Sequence, residues 1–313
     1  MEILEAGFKE YSNIVAAPYH IFGTGAFNLV NEDKAESVHY LLFKEGKYRL
    51  GIIGGIRNNI LLSPFSAPFG GFSFLQQDTR ISYIDEAALL LTEWAKAKGI
   101  SAIKITLPPT IYQESFLSKQ INSLYRNGFA IEKTDLNYAY NLHHFDENYA
   151  ATTWYNARKN LKIALAGNFS FRLCATPEEK ETAYSIIKQN REARDFPLRM
   201  TRQQVQLSCT VIPADFFLVD NGEGIPVAAA IVFHVSKGIA QVVYWGDLPA
   251  WAHLKTMNFL SFKVFEYYKE QQLDIIDIGP STENSVPNYG LCEFKESIGC
   301  DISCKFSFSK SVE

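Results

Sequence analysis

The sequence predicts a mixed α/β fold in which one unit is used twice, and three observations carry that prediction. Both halves run strand, strand, strand, helix, strand, helix, strand. Turn residues fall at matching places in the two runs. The spacing also agrees: Leu107 aligns with Gly279 at an offset of 172 residues, and Gly128 with Gly299 at 171. Self-similarity at a near-constant period is the signature of a repeated supersecondary unit. A unit that combines hairpins with crossover helices gives a mixed sheet with helices on its faces.

In the first half, Val38 to Phe43 reads as a strand, Glu45-Gly46 as a turn and Tyr48 to Ile56 as the next strand. Arg57-Asn58-Asn59 turns the chain into a third strand, Ile60 to Phe65. The helix over Ile84 to Ala97 is predicted by Ile84, Ala87, Ala88, Leu91, Trp94 and Ala95, which recur with helical spacing on one face. Strand Ala102 to Leu107, loop Pro108-Pro109-Thr110, a helix ending near Arg126, Gly128 and a strand over Leu136 to Leu142 complete the unit.

The second half repeats the order. Asp215 to Asp220 is a strand, closed by the turn Asn221-Gly222-Glu223-Gly224. Ile225 to Val235 is a strand apolar on both faces, Lys237-Gly238 a turn, and Ile239 to Trp245 a third strand. A helix over Trp251 to Lys269 follows, with Leu254, Phe259, Phe262 and Phe265 among its apolar residues. Then come strand Ile275 to Ile278, loop Gly279-Pro280-Ser281-Thr282, a helix over Gly290 to Ser297 and a last strand over Ile302 to Phe308. The boundary is placed between residues 148 and 149, giving domains 1–148 and 149–313. A helix over Thr153 to Ala166 opens the second, with Trp154, Ala157, Leu161, Ala164 and Leu165 on one face and Arg158 and Lys162 on another.

The bulk properties narrow the function. A length of 313 residues suits about two domains. A net charge of −4 gives no support to a duplex-DNA binder. The start, Met1-Glu2-Ile3-Leu4-Glu5-Ala6, lacks the basic and apolar regions of a secretory signal, and the most apolar run, Ile225 to Val235, is too short to span a bilayer. A cytoplasmic protein with no membrane span is expected, with its five cysteines reduced. The six histidines are scattered and form no metal-ligand motif, so no metal is expected.

Three segments carry a family resemblance. Trp154-Tyr155-Asn156-Ala157-Arg158-Lys159-Asn160-Leu161-Lys162-Ile163-Ala164 is a basic helix after the first unit. Asp277-Ile278-Gly279-Pro280-Ser281-Thr282-Glu283 is a strand running into a hydroxyl-rich loop. Gly290-Leu291-Cys292-Glu293-Phe294-Lys295-Glu296-Ser297-Ile298-Gly299 is similar to a G-L-x-x-F-K-x-x-(F/I)-G pattern. The unit order resembles the GNAT (acyl-CoA N-acyltransferase) fold, and two such units in tandem resemble the FemAB family of peptidoglycan-bridge aminoacyltransferases. The resemblance implies transfer of an acyl group, from acyl-CoA or aminoacyl-tRNA, to an amine of a cell-envelope or sugar-nucleotide precursor. A small-molecule, peptide or sugar-nucleotide acceptor and transfer RNA are the partners it implies. Two features depart from the pattern. There is no room for the long helical arm of the staphylococcal enzymes. The glycine-rich pyrophosphate loop of GNAT enzymes is replaced by Leu248-Pro249-Ala250-Trp251-Ala252-His253-Leu254-Lys255.

Aminolysis of an ester or thioester needs a polarised carbonyl, a neutral amine and a stabilised oxyanion, and no covalent nucleophile. Lys295 is the first candidate, because a fixed ammonium neutralises a donor phosphate or an oxyanion. The resemblance adds to this, since the family's F-K lysine is placed by the donor site, and brings in Phe294 beside it. Flanked by Glu293 and Glu296, Lys295 reads from pattern alone more readily as a solvent-facing lysine. Glu283 is the candidate proton acceptor. Ser281 and Thr282, at the carboxyl end of a buried strand, are candidate substrate contacts, and the same residues suit a turn or cap. Arg158 and Lys162 are candidate anchors for an anionic acceptor, against a solvated helix face. Tyr244, Asp247 and Tyr289 complete the set. Two other readings stay open. One is a non-catalytic binding protein that keeps the fold without a donor site. The other is an RNA-associated protein.

Overall fold

A computed structural model describes residues 1–312 of the chain, which divides into two compact units. Unit 1 comprises Met1–Leu136, Asn284–Val286 and the chain from Ser303 onward; unit 2 comprises Asn137–Glu283 and Pro287–Ile302.

The first part of the chain runs β1 (Glu2–Ala6), α1 (Phe8–Ile14), α2 (Gly25–Val30), β2 (Ser37–Glu45), β3 (Lys47–Arg57), β4 (Ile60–Ser63), β5 (Ser73–Phe74), α3 (Ile81–Ala97), β6 (Ala102–Thr106), α4 (Glu114–Arg126) and β7 (Ala130–Asn141). The second part runs α5 (Tyr149–Thr152), α6 (Tyr155–Leu165), β8 (Ser170–Leu173), α7 (Pro177–Ala193), α8 (Arg202–Ser208), β9 (Ala214–Asp220), β10 (Pro226–Ser236), β11 (Ile239–Asp247), α9 (Thr256–Glu270), β12 (Ile275–Pro280), β13 (Thr282–Glu283), β14 (Val286–Pro287), α10 (Tyr289–Ser297) and β15 (Asp301–Ser311).

In unit 1 the strand order is β1-β2-β3-β4-β6-β15, with β5 added to β3. Among the described residues of this unit, only β4 and β6 are parallel, in register over Ile60–Ser63 and Ala102–Ile105. The other neighbours are antiparallel. The hairpin from β3 to β4 turns at Asn58 and Asn59, both at positive φ (49° and 59°), a conformation that asparagine tolerates better than most residues. Helix α3 buries Ile84, Ala87, Ala88, Leu91 and Ala95, the face its periodicity predicts. Trp94, at the margin of that face, meets His39 edge to face at 5.1 Å.

In unit 2 the strand order is β7-β12-β11-β10-β9-β8. Here β11 and β12 are the parallel pair, and β10 pairs antiparallel with both β11 and β9. The residues of β10 from Val227 to Phe233 are all buried, because helices α7 and α9 both pack on this strand. A strand covered on both faces reads as a continuous apolar run. Helix α7 starts sharply at a capping box: the Thr176 side chain accepts from the Glu179 N–H, the Glu179 carboxylate accepts from the Thr176 N–H, and Pro177 takes the first turn.

Strand β15 completes the sheet of unit 1 by pairing with β6, whereas residues Asn137–Asn141 of β7 pair with β12 in unit 2. Local periodicity specifies that these segments are strands and does not specify their partners. The elements before β2, together with β8, α7 and α8, lie outside the pattern read from the sequence.

Candidate functional site

The parallel strands β11 and β12 stay together for three residues only, Ile239–Gln241 against Ile275–Asp277. Beyond that point β11 runs on to Asp247 with no β12 partner. Two irregularities mark the split. A bulge displaces Val243, since Ile231 pairs with Tyr244 and the next residue, Val232, with Val242. On β12 the register against β7 slips between Asp277 and Gly279. Bulges end ladders and re-aim side chains, which is what opens a wedge at the carboxyl ends of two neighbouring strands.

Buried polar groups fix one edge of the wedge. Asp277 is fully buried, and its carboxylate accepts from Asn137 Nδ2 (2.8 Å), Gln241 Nε2 (2.7 Å) and the Gly279 N–H (2.9 Å). Gly279 holds φ at +73°, and a β-carbon built there meets no atom within 4 Å. Glycine is used here for its conformation, on a stretch of backbone that faces open space. Lys295, 2% exposed, reaches under this strand end from α10 and donates to the carbonyls of Ile278 (2.8 Å), Gly279 (2.8 Å) and Pro280 (3.1 Å). Its ammonium also lies 5.3 Å from the centre of the Tyr138 ring. Burial pushes its pKa down to about 8, against smaller opposing effects of Cys300 and Asp277. Protonated at neutral pH, Lys295 therefore has all three hydrogens engaged by backbone carbonyls.

The other edge is aromatic and cationic. Trp245 of β11 and Phe294 of α10 meet edge to face at 6.3 Å. Tyr244 is buried, and its hydroxyl accepts from the Met200 N–H at 3.1 Å. Over its ring, at 5.7 Å, sits the guanidinium of Arg191 from α7. Arg191 lines a groove of about 530 Å³ together with Tyr184, Lys188, Glu192, Phe196, Leu198 and Arg202. Burial lowers its pKa, and the neighbouring charges Arg194 and Arg199 lower it further. Arg194 is 3.6 Å from Asp247, Arg199 is paired with Glu283, and Arg202 with Glu181. Arg191 makes no ion pair among the described residues. A half-buried cation without an ion pair is stabilised by an added anion. Asp247 is buried, and its pKa is raised by burial despite Arg194. Asn190 Nδ2 donates to its side chain at 3.2 Å and to its backbone carbonyl at 2.7 Å.

The sequence-predicted residues are distributed as follows. Lys295, Ser281 and Phe294 lie around the carboxyl end of β12. Ser281 is buried, and its hydroxyl has no hydrogen-bond partner among the described residues. Thr282 and Glu283 form β13, and the Glu283 carboxylate is exposed and held by Arg199. Tyr289 opens α10 and is 74% exposed. Arg158 and Lys162 lie on the outer face of α6, lining a different groove. Arg191 was not among the candidates, because Lys188 and Glu192 beside it form an i,i+4 pair that reads as a solvated helix face.

The corresponding place in unit 1 is filled by the chain itself. After Ser63 the loop carries Phe65, Phe69 and Phe72, all buried, and the Gly70 N–H donates to the Thr106 carbonyl at 2.8 Å. A β-carbon at Gly71 would lie 2.6 Å from Leu107, and one at Gly70 would lie 2.9 Å from the Pro64 nitrogen. These glycines admit the close approach of the chain's own backbone and side chains.

Sheet order, the split parallel pair and the repetition of the unit define a tandem GNAT-like fold of the FemAB type. The chain is similar to the crystal structure of FemX, with a TM-score of 0.71 at 12% identity over 99% of this chain and 97% of that one. It is also similar to L-PGS from Bacillus licheniformis, with a TM-score of 0.61 at 13% identity over 97% and 92%. A tandem GNAT protein from the clavulanic acid biosynthesis pathway gives 0.54 at 9% identity over 100% and 98%. No family model matches the sequence, and no curated protein matches it. Likeness at these identities is likeness of fold.

Proposed function

We propose that the chain is an N-acyltransferase whose reaction takes place in the wedge of unit 2, and that it moves an aminoacyl group from an activated ester to an amine on a phosphate-bearing acceptor. The observation that carries this reading is Arg191: a half-buried guanidinium stacked on Tyr244, without a carboxylate partner, beside the open end of a split parallel pair. Arg191 and the neighbouring Arg199 hold the phosphate. Trp245 and Phe294 wall the acyl group at the end of β12, beside Gly279. Lys295 positions that strand end through its three carbonyl contacts. Asp247, rather than the exposed and paired Glu283, is the carboxylate suited to take the proton from the amine, since a raised pKa brings a carboxylate closer to the operating pH. The reaction would take place in the cytoplasm, with an acceptor from the cell envelope or a sugar nucleotide.

Coenzyme A fits this site less well than an aminoacyl ester. The segment that would cradle its pyrophosphate, Pro249–Leu254, is a 3₁₀ turn without glycine, and Lys255 after it stands at φ +61°. The second reading, a binding protein without transferase activity, is favoured by one observation: the hydrogens of Lys295 are already committed to backbone, so its charge is not free to reach a donor. Incubation with aminoacyl-tRNA or acetyl-CoA and an amine-bearing nucleotide sugar, followed by mass analysis of the acceptor, separates the two. Transfer that Asp247→Asn slows while leaving KM near wild type supports the enzyme. Phosphate-dependent binding with no transfer from any donor supports the binding protein.

A further inference from the structure

Helix α6 has two faces of opposite use. Ala157, Leu161 and Ala164 are buried, and the helix packs on α9. The stripe Tyr155, Arg158, Lys159, Lys162 and Leu165 turns outward along an open groove of about 510 Å³, with Ala150 and Leu161 also in its lining. The stripe follows the i, i+3, i+4, i+7 spacing of a single face. Between Tyr155 and Leu165 there is no acidic residue, although the whole chain carries a net charge of −4. Arg158 donates to the carbonyls of Ala151 (3.4 Å) and Thr153 (3.2 Å), neither of which neutralises it. Tyr155 is 75% exposed, and Trp154 and Leu165 about half exposed.

We propose that this face of α6 docks on the surface of an anionic phospholipid bilayer. Three cations on one face, without an ion pair among the described residues, attract a negatively charged surface, and the aromatic and aliphatic side chains between them match the boundary where headgroups meet acyl chains. Tyrosine and tryptophan belong at that boundary, with an apolar ring and a polar tip. Among the described residues no helix is long and apolar enough to cross a membrane, so the contact is a surface contact. A nucleic-acid strand fits the lining less well, because the aliphatic side chains of Ala150, Leu161 and Leu165 offer neither stacking planes nor hydrogen bonds to bases. This surface is separate from the Arg191 groove, and the inference does not rest on the transfer reaction.

Co-sedimentation of the full chain with vesicles tests it. Wild type should bind vesicles containing phosphatidylglycerol, bind pure phosphatidylcholine weakly, and release as salt is raised. The triple variant Arg158→Gln, Lys159→Gln, Lys162→Gln should bind about a hundredfold more weakly, from roughly fivefold per cation. The pair Tyr155→Ser, Leu165→Ser should also weaken binding at unchanged charge, which attraction of any polyanion would not require. All five side chains project from the outer face, so melting temperatures should stay at the wild-type value and exclude misfolding. Vesicle binding absent in wild type, or undiminished in the triple variant, would overturn the proposal. So would retention of a single-stranded RNA oligonucleotide, lost in the triple variant, by a protein that ignores vesicles.

Discussion

Lys295 and Gly279 are joined by a 2.8 Å hydrogen bond from a buried ammonium to the carbonyl of a residue held at positive φ. The same ammonium holds the carbonyls before and after it, so one side chain fixes three consecutive peptide groups at the end of β12. Lys295→Met keeps the length of the side chain and removes every donor. Leaving buried acceptors unpaired should lower stability by about 3 kcal/mol, read as a lower denaturant midpoint at unchanged slope.

The pH dependence of the same residue has a definite sign. Its folded pKa of about 8 lies below the unfolded value of 10.5, so between those values the unfolded chain holds a proton that the folded chain has released. Stability of wild type relative to Lys295→Met should therefore rise from pH 8 to 10.5, by at most about 3 kcal/mol, and stay level below pH 8. A difference that is flat across this window would show that the lysine is solvated.

His20 should dominate the acid limb. It is 1% exposed, with Tyr19 and Phe69 edge to face against its ring, and neither ring nitrogen has a partner among the described residues. Burial pushes its pKa down to about 3. The stability it contributes is fully present above the unfolded value of 6.5 and is lost as pH falls through 3, up to about 5 kcal/mol in all. Denaturant titrations should show His20→Leu with a flatter acid limb than wild type. An equal loss in both would place the acid-sensitive group elsewhere.

Ser281 gives a cleaner separation of stability from function. Its buried hydroxyl has no partner, so Ser281→Ala should leave stability unchanged or raise it by about 1 kcal/mol. If the hydroxyl is a substrate contact, ligand affinity falls while stability does not. A loss of more than about 1 kcal/mol would mean that the hydroxyl is bonded in the folded protein.

How much of this was legible in the sequence follows from what sequence patterns encode. Helix α3 and the hairpin at Asn58–Asn59 were legible, because a face of recurring apolar residues and a turn needing positive φ are local properties. The repeat was legible for the same reason. Lys295 was picked for its motif, but its burial was not readable, since Glu293 and Glu296 beside it suggest water and the carbonyls that hold it come from β12. Arg191 was missed because its meaning depends on Tyr244, more than fifty residues away, and on the lack of a partner. The partner of β15 was hidden too, because a strand's sequence shows its faces and not its neighbours.

The most direct measurement is a thermal-shift comparison of wild type with Arg191→Ala, using aminoacyl-tRNA, acetyl-CoA and a nucleotide sugar as separate ligands. A ligand that binds only the native state raises its melting temperature. Removing a half-buried cation that has like charges for neighbours should leave the unliganded melting temperature unchanged or slightly higher. The account predicts that at least one phosphate-bearing ligand stabilises wild type and that Arg191→Ala abolishes most of that shift. Equal shifts in the two proteins, or none in wild type, would contradict an anion site at Arg191.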